Sequence, residues 1–312
     1  MTLRDSYKIV KRSMVAFCPK YVRAAGSGPP LFPPIIGTGF VVASDGVIVT
    51  NDHVVRAFKK VRPADIPDED WGVVALFLYA IGGPDRDSAQ VLGAGLMGEF
   101  RPGEAYYYGP PKPDIAFVHV KAKDLPALDI GDDEIIVEGA ELATAGFPMG
   151  ADALTAPGYV HQITPTLQRG IVSAVLPFAC EKPNAFTLNV RTQGGASGSP
   201  VFDPTSGRVA GVLYAGLNDI GLTKDNDLYR IPTNISYVVP SHVIRAGLTE
   251  IAKNPSFVAP PDAQTVDEMF ENAVLVDVLE KGRQWQIREM KPKNQASDVP
   301  PIKEVSRTDD AG

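Results

Sequence analysis

A chain of 312 residues, 44% of them hydrophobic, is long enough to bury one large core or two smaller ones, and its ordinary charged fraction excludes wholesale disorder. A net charge of −7 leaves no global basic field, so neither nucleic acid nor an anionic membrane surface is expected as a partner. No apolar run is long enough to cross a bilayer, so no membrane span is expected.

In chain order, Met1-Thr2-Leu3-Arg4-Asp5-Ser6-Tyr7-Lys8 carries charges where a leader segment would carry its apolar run. Two cysteines, Cys18 and Cys180, are too few for a disulfide framework and read as free thiols. Both features lead to the expectation of a cytoplasmic location.

Residues 8–258 read as short β-branched or aromatic runs divided by Gly, Pro, Asn and Asp clusters. Gly39–Ala43 and Val47–Thr50 flank Ser44-Asp45-Gly46, a hairpin signature. Further strands are expected at 73–80, 88–93, 114–121, 140–146, 169–176, 185–191, 199–203, 208–215 and 228–239. So many strands without long helical patterns between them predict an all-β barrel or sandwich architecture. Ser241, as N-cap, opens a helix over 241–253 with Val243, Ile244, Leu248 and Ile251 on its apolar face. Pro260-Pro261 marks a linker, Thr265-Val266-Asp267-Glu268 is a capping-box pattern, and helical spacing predicts a second helix over 265–282. The polar remainder, 283–312, reads as mobile.

Three segments carry candidate chemistry. In Gly194-Gly195-Ala196-Ser197-Gly198-Ser199-Pro200, glycines flank a serine, as a nucleophile at a sharp turn beneath backbone oxyanion donors requires. His53, in Thr50-Asn51-Asp52-His53, directly follows a strand, whereas His119, His161 and His242 lack a pattern suited to general-base work. Asp114 opens a strongly apolar strand, where a carboxylate must be paired or hydrogen-bonded; orienting an imidazole would meet that need. Taken singly, each has an ordinary explanation: a Gly/Ser loop, a strand-end histidine, a turn aspartate. Their order, His then Asp then Ser with gaps of 61 and 83 residues, is that of chymotrypsin barrels and not of subtilisins or α/β-hydrolases.

Together with Gly37-Thr38-Gly39-Phe40-Val41-Val42, Val49–Val55, Asp114-Ile115-Ala116, Gly146-Phe147-Pro148-Met149-Gly150 and Gly170-Ile171-Val172-Ser173, the Ser197 segment resembles trypsin-like peptidases of the bacterial HtrA type. Gly207–Val212 and Ile235–Ser241 extend the resemblance, which covers roughly residues 10–250. It implies two six-stranded antiparallel β-barrels of the chymotrypsin type with a C-terminal helix. The first barrel would span about 8–125 and the second about 135–240, with helix 241–253 closing a peptidase domain over 1–258. Residues 259–312 would form the linker, the short helix 265–282 and the tail.

The implied activity is serine endopeptidase chemistry on a polypeptide substrate, through an acyl-enzyme, with His53, Asp114 and Ser197 as the triad. The N–H groups of Gly195 and Ser197 would form the oxyanion hole, and no metal or organic cofactor is required. By register Arg191 lies at the base of the primary pocket, with Leu213, Tyr214, Ala215, Gly216 and Asn234 as walls. An inward Arg191 would favour acidic substrate residues; an outward one would pair with a surface carboxylate.

Several positions depart from the family pattern. Ala196 replaces the aspartate of digestive relatives, so activation is not expected to depend on N-terminal cleavage. Ser199 replaces the second glycine of Gly-x-Ser-Gly-Gly-Pro. The stretch between His53 and Asp114 is long and includes a tyrosine run, 106–108. Too few residues follow 253 for the peptide-binding PDZ module of HtrA-type relatives. Two other readings stand beside the endopeptidase: a silent or latent binding module, the latter implying an activating partner, and an acyl hydrolase acting on esters. The oligomeric state is left open.

Overall fold

The computed structural model describes residues 1–19, 35–61, 73–80, 89–102, 112–148, 165–222, 228–265, 268, 273–280 and 283–290. The tyrosine run, His161 and residues 291–312 lie outside the described residues.

The chain opens with helix α1 (Leu3–Ser13), where strands were expected from residue 8. Its start is locally encoded by a capping box, Thr2 accepting from the Asp5 N–H and the Asp5 carboxylate from the Thr2 N–H. Its inward face is Ser6, Val10 and Ser13, mostly hydroxyls, which is why no apolar helical stripe announces it. The Ser6 hydroxyl donates to the Pro204 carbonyl (2.8 Å) and the Tyr7 hydroxyl to the Pro165 carbonyl (2.7 Å), pinning the helix to a distant part of the chain.

Then come β1 (Met14–Pro19), β2 (Gly37–Ala43), β3 (Val47–Thr50), helix α2 (Asp52–Val61), β4 (Val73–Ala80), β5 (Ala89–Phe100) and β6 (Ala116–Val120). The turn between β2 and β3 has Gly46 at φ +99°, as the hairpin signature required. Strand β1 pairs with β2 and β4, β3 with β2 and β6, and β5 with β4 and β6, all antiparallel, so these six strands close a circuit.

The second half contains β7 (Glu141–Gly146), β8 (Thr166–Leu176), β9 (Ala185–Leu188), β10 (Pro200–Phe202), β11 (Val209–Leu222) and β12 (Leu228–Pro240). They form a closed barrel in the order β10-β11-β12-β9-β8-β7, and helix α3 (Ser241–Ile251) follows. The all-β, two-barrel expectation with a C-terminal helix therefore holds. One apolar cluster joins Val10 of α1, Phe40 and Val49 of the first circuit, Phe202 and Val239 of the second, and Ile244 of α3. Each fully buried side chain of this size contributes roughly 2–3 kcal/mol, so the junction between the barrels is itself part of the core.

The C-terminal expectations need correction. Thr265 and Glu268 do make the reciprocal capping contacts, with the Thr265 N–H donating to Glu268 (2.9 Å) and the Glu268 N–H to the Thr265 hydroxyl (3.1 Å). Ala273–Glu280, however, is a strand, β13, paired antiparallel with β14 (Arg283–Met290), which itself pairs parallel with β5. Val274, Val276 and Val278 recur at period two, and that β-branched alternation decides the pairing over the helical spacing. Residues 283–290 are thus strand rather than tail. The segment at 260–264, expected as linker, packs on the first barrel, with Ala263 and Gln264 buried and the Lys123 N–H donating to the Gln264 carbonyl (2.9 Å).

Helix α3 begins at Ser241, but Ser241 does not cap it by accepting. Asp133 does so from outside, taking the His242 N–H (3.1 Å) and the Ser241 hydroxyl (2.6 Å), and its negative charge suits a helix N-terminus. Cys18 is buried and Cys180 exposed, and the two are not joined in a disulfide; burial pushes the Cys18 thiol up.

Candidate active site

Strands β3 and β6 run antiparallel with Thr50 opposite Ala116. Residues just after Thr50 and just before Ala116 therefore leave the sheet at one edge, and this brings His53 to Asp114. The carboxylate holds the histidine twice: Asp114 Oδ2 lies 2.5 Å from His53 Nδ1, and Asp114 Oδ1 accepts the His53 backbone N–H at 3.0 Å. Because an ionised carboxylate only accepts, Nδ1 carries the proton and Nε2 is left as the basic nitrogen. The imidazole is 42% exposed, so its outer edge is open to a reactant.

Neighbouring contacts fix both partners. Asn51 Nδ2 donates to the Asp114 carbonyl (2.6 Å). Asp52, in the first turn of α2, pairs with Arg56 (2.8 Å) and with Arg101 at the end of β5 (2.5 Å), tying the His53 helix to the barrel wall.

Ser197 sits between two turns on the approach to β10. The Ala196 N–H donates to the Gln193 carbonyl and the Ser199 N–H to the Ala196 carbonyl, both at 3.1 Å. Gly195 (φ +90°) and Gly198 (φ +88°) occupy the third position of these turns, where positive φ is needed. At Gly198 a side chain would also overlap the Thr38 carbonyl. Neither Gly195 nor Ser197 donates its N–H to an acceptor among the described residues, so both donors are unspent. The Ser197 hydroxyl lies 3.5 Å from the Tyr214 carbonyl, its one hydrogen bond among the described residues.

Thr38, fully buried on β2, joins this loop to the first barrel. Its N–H donates to the Ser197 carbonyl (2.7 Å) and its hydroxyl to the Gly195 carbonyl (2.7 Å). It also accepts the Phe147 N–H at Oγ1 (3.1 Å) and the Thr50 hydroxyl at its carbonyl (2.7 Å). Two hydrogen bonds thus link β2 with the Ser197 turn, and the Thr50 hydroxyl ties β2 to the strand leading to His53. Sequence reasoning used Thr38 only as part of a motif.

The expected pocket is partly redrawn. Leu213 is buried, Tyr214, Ala215 and Gly216 are half-buried, and Asn234 is exposed. Arg191 is exposed and has no carboxylate partner among the described residues. Bulges between Leu213 and Ala215 and between Gly216 and Asn218 shift the register, and Ser236, fully buried, stands opposite Gly216. Ser236 Oγ donates to the Val190 carbonyl (2.7 Å) and lies 3.1 Å from Thr192 Oγ1. Ser236 was missed because a bulge leaves no trace in residue counting, and Thr192 because its partner Ser236 is remote in sequence.

Among the described residues, His119 and His242 are held by structural contacts. His119 is buried with Nε2 2.8 Å from the Asp45 carbonyl, and His242 Nδ1 lies 3.3 Å from Asp133 in the α3 cap.

Two closed six-stranded circuits, with a histidine–carboxylate pair on one and a glycine-flanked serine turn on the other, define a two-barrel protein of the chymotrypsin type. The chain belongs to the family of the trypsin-like peptidase domain, whose model matches residues 37–212. Its relatives include proteins named probable periplasmic serine endoprotease DegP-like. One from Halomonas elongata is 27% identical over 177 residues, and one from Pseudomonas putida strain GB-1 is 31% identical over 180. Each alignment covers 57% of this chain and 28% of the relative, so the chain spans under a third of these relatives' length. A solved HtrA-type protease with a decapeptide aligns at TM-score 0.49 and 15% identity, covering 81% of this chain and 68% of that one. The cytoplasmic expectation is overturned by these relatives, which are named periplasmic. It rested on N-terminal charges and cysteine number, neither of which fixes a compartment.

Proposed function

We propose that the chain is a serine endopeptidase in which His53, Asp114 and Ser197 act as the triad on a polypeptide substrate. The observation that carries this is the double hold of Asp114 on His53, which leaves Nε2 basic, beside a serine turn whose two N–H groups are unspent. The Ser197 hydroxyl turns from the Tyr214 carbonyl to His53 Nε2, gives up its proton and bonds to the scissile carbonyl carbon. The resulting oxyanion is received by the Gly195 and Ser197 N–H groups, each worth about 3–4 kcal/mol in such sites. The imidazolium, stabilised by Asp114, protonates the leaving amine as the peptide C–N bond breaks. Water then repeats the sequence on the acyl-enzyme to release the acid and restore Ser197.

The pocket favours small uncharged side chains before the scissile bond. A methyl group at Gly216 would overlap the Thr192 hydroxyl, so the two walls stand close, and the Arg191 charge is in solvent.

One observation favours a latent form as a second reading: the Ser197 hydroxyl rests on Tyr214 and not on His53. Fluorophosphonate labelling decides between them. Labelling lost in both Ser197→Ala and His53→Ala supports an assembled triad. An unlabelled, folded wild type supports latency and a need for an activating partner.

A further inference from the structure

We infer that Ser199 is a positioning residue for the oxyanion hole, its hydroxyl holding the peptide that presents the Ser197 N–H, in a space that Gly146 leaves open. The inference rests on the proposed serine endopeptidase reading and concerns how that site is kept ready.

The Ala196–Ser197 peptide carries the Ser197 N–H at one end and the Ala196 carbonyl at the other. In a trans peptide these two groups point in opposite directions, so fixing one aims the other. The Ala196 carbonyl accepts twice from the same residue, from the Ser199 N–H at 3.1 Å and from the Ser199 hydroxyl at 2.5 Å. A glycine at 199 would supply only the first bond. The hydroxyl adds a second, in a site where Ser199 is 1% exposed and water does not compete.

The room for this hydroxyl comes from β7. A Cβ on Gly146 would overlap Ser199 Oγ and crowd the Thr38 hydroxyl as well. Thr38 in turn holds the Gly195 carbonyl at 2.7 Å, so consecutive peptides of the loop are fixed through hydroxyls, one from each barrel. Turning the Ala196–Ser197 peptide over would break both bonds to Ser199 and withdraw the Ser197 donor from the site. Ser199 touches no reacting atom; it acts through the Ser197 N–H.

The test uses the full chain with three substitutions made singly: Ser199→Ala, which removes the hydroxyl, Gly146→Ala, which displaces it, and Ser199→Gly, which cannot crowd the loop. Thermal melts establish the temperature at which each is folded. Steady-state hydrolysis of a peptide amide is measured there, with the affinity of a boronic-acid peptide that forms a tetrahedral adduct and of the matching product peptide. The expected result is a fall in kcat and in boronate affinity on the order of tenfold, since a donor is loosened but not removed. KM and product-peptide affinity stay within about twofold, because ground-state binding does not use the oxyanion donors. Variants matching an active wild type in kcat and boronate affinity would overturn the role of Ser199 alone, as would equal losses of product and boronate affinity. A folded wild type that neither hydrolyses peptide nor binds boronate would overturn the endopeptidase reading together with it.

Discussion

The Thr38 hydroxyl, on the first barrel, donates to the carbonyl of Gly195, in the serine turn of the second, over 2.7 Å. The same oxygen accepts the Phe147 N–H, so one buried side chain satisfies groups from two segments of the other barrel. Thr38→Val keeps the shape and removes the hydroxyl, leaving the Gly195 carbonyl and the Phe147 N–H without that partner. A loss of about 2 kcal/mol is expected, the cost of stranding buried polar groups. Thr38→Ser should recover most of it. Urea melts of the three proteins check this, and Thr38→Val as stable as Thr38→Ser would refute it.

Asp114→Asn is expected to fold like the wild type and to lose about four orders of magnitude in kcat. The amide preserves an acceptor for the His53 N–H but can present its own N–H to Nδ1, selecting the tautomer with the proton on Nε2. Far-UV circular dichroism and single-turnover acylation measure the two halves of this statement. Activity within tenfold of wild type would mean Asp114 does not orient the base.

The candidate triad was legible in the sequence because its chemistry lies in short, locally constrained words. Gly194–Pro200 can form the observed pair of turns only with glycine at 195 and 198, and Asp114 and His53 flank strands that their own β-branched runs specify. What was not legible is what depends on register or on remote partners. Two bulges in the β11–β12 pair put Ser236, and not a residue found by counting, opposite Gly216. Helix α1 hides its buried face in serines, and Ser6 is bonded to Pro204, nearly 200 positions away. Val274 and Val278 satisfied a helical template and, with Val276 between them, a strand template as well, and pairing with β14 decided between them.

The proposed pocket, with Thr192 close against Gly216, predicts the outcome of a peptide-library cleavage profile: alanine, valine and other small residues before the scissile bond, with no preference for aspartate or glutamate. Thr192→Gly removes the side chain nearest to Gly216 and should admit larger residues, with discrimination shifting by about 1–3 kcal/mol per added or lost methylene. Ser236→Ala should have a smaller effect on preference, because Ser236 meets the pocket through Thr192. An acidic preference in the wild type, abolished by Arg191→Ala, would refute this pocket assignment.

Asp133 should make the second barrel acid-sensitive. Burial pushes its carboxyl up, but hydrogen bonds from His242 and Ser241 and the charges of His242 and Arg245 outweigh it, leaving the group below its ordinary value of 3.8. Asp132, 3.9 Å from Arg245, is the other carboxylate facing that guanidinium. A carboxyl depressed in the folded state binds its proton more readily when unfolded. Its contribution is therefore complete above the unfolded value and is lost as pH falls through the folded one. Asp133→Asn should cost about 2 kcal/mol at neutral pH, the worth of hydrogen bonds to a charged group on a helix N-terminus. The gap between wild type and variant should close as pH falls below about 4. Denaturant melts across that range give the curve directly. A gap no smaller well below about pH 4 than at about pH 5 would mean that the folded carboxyl is not held below its ordinary value.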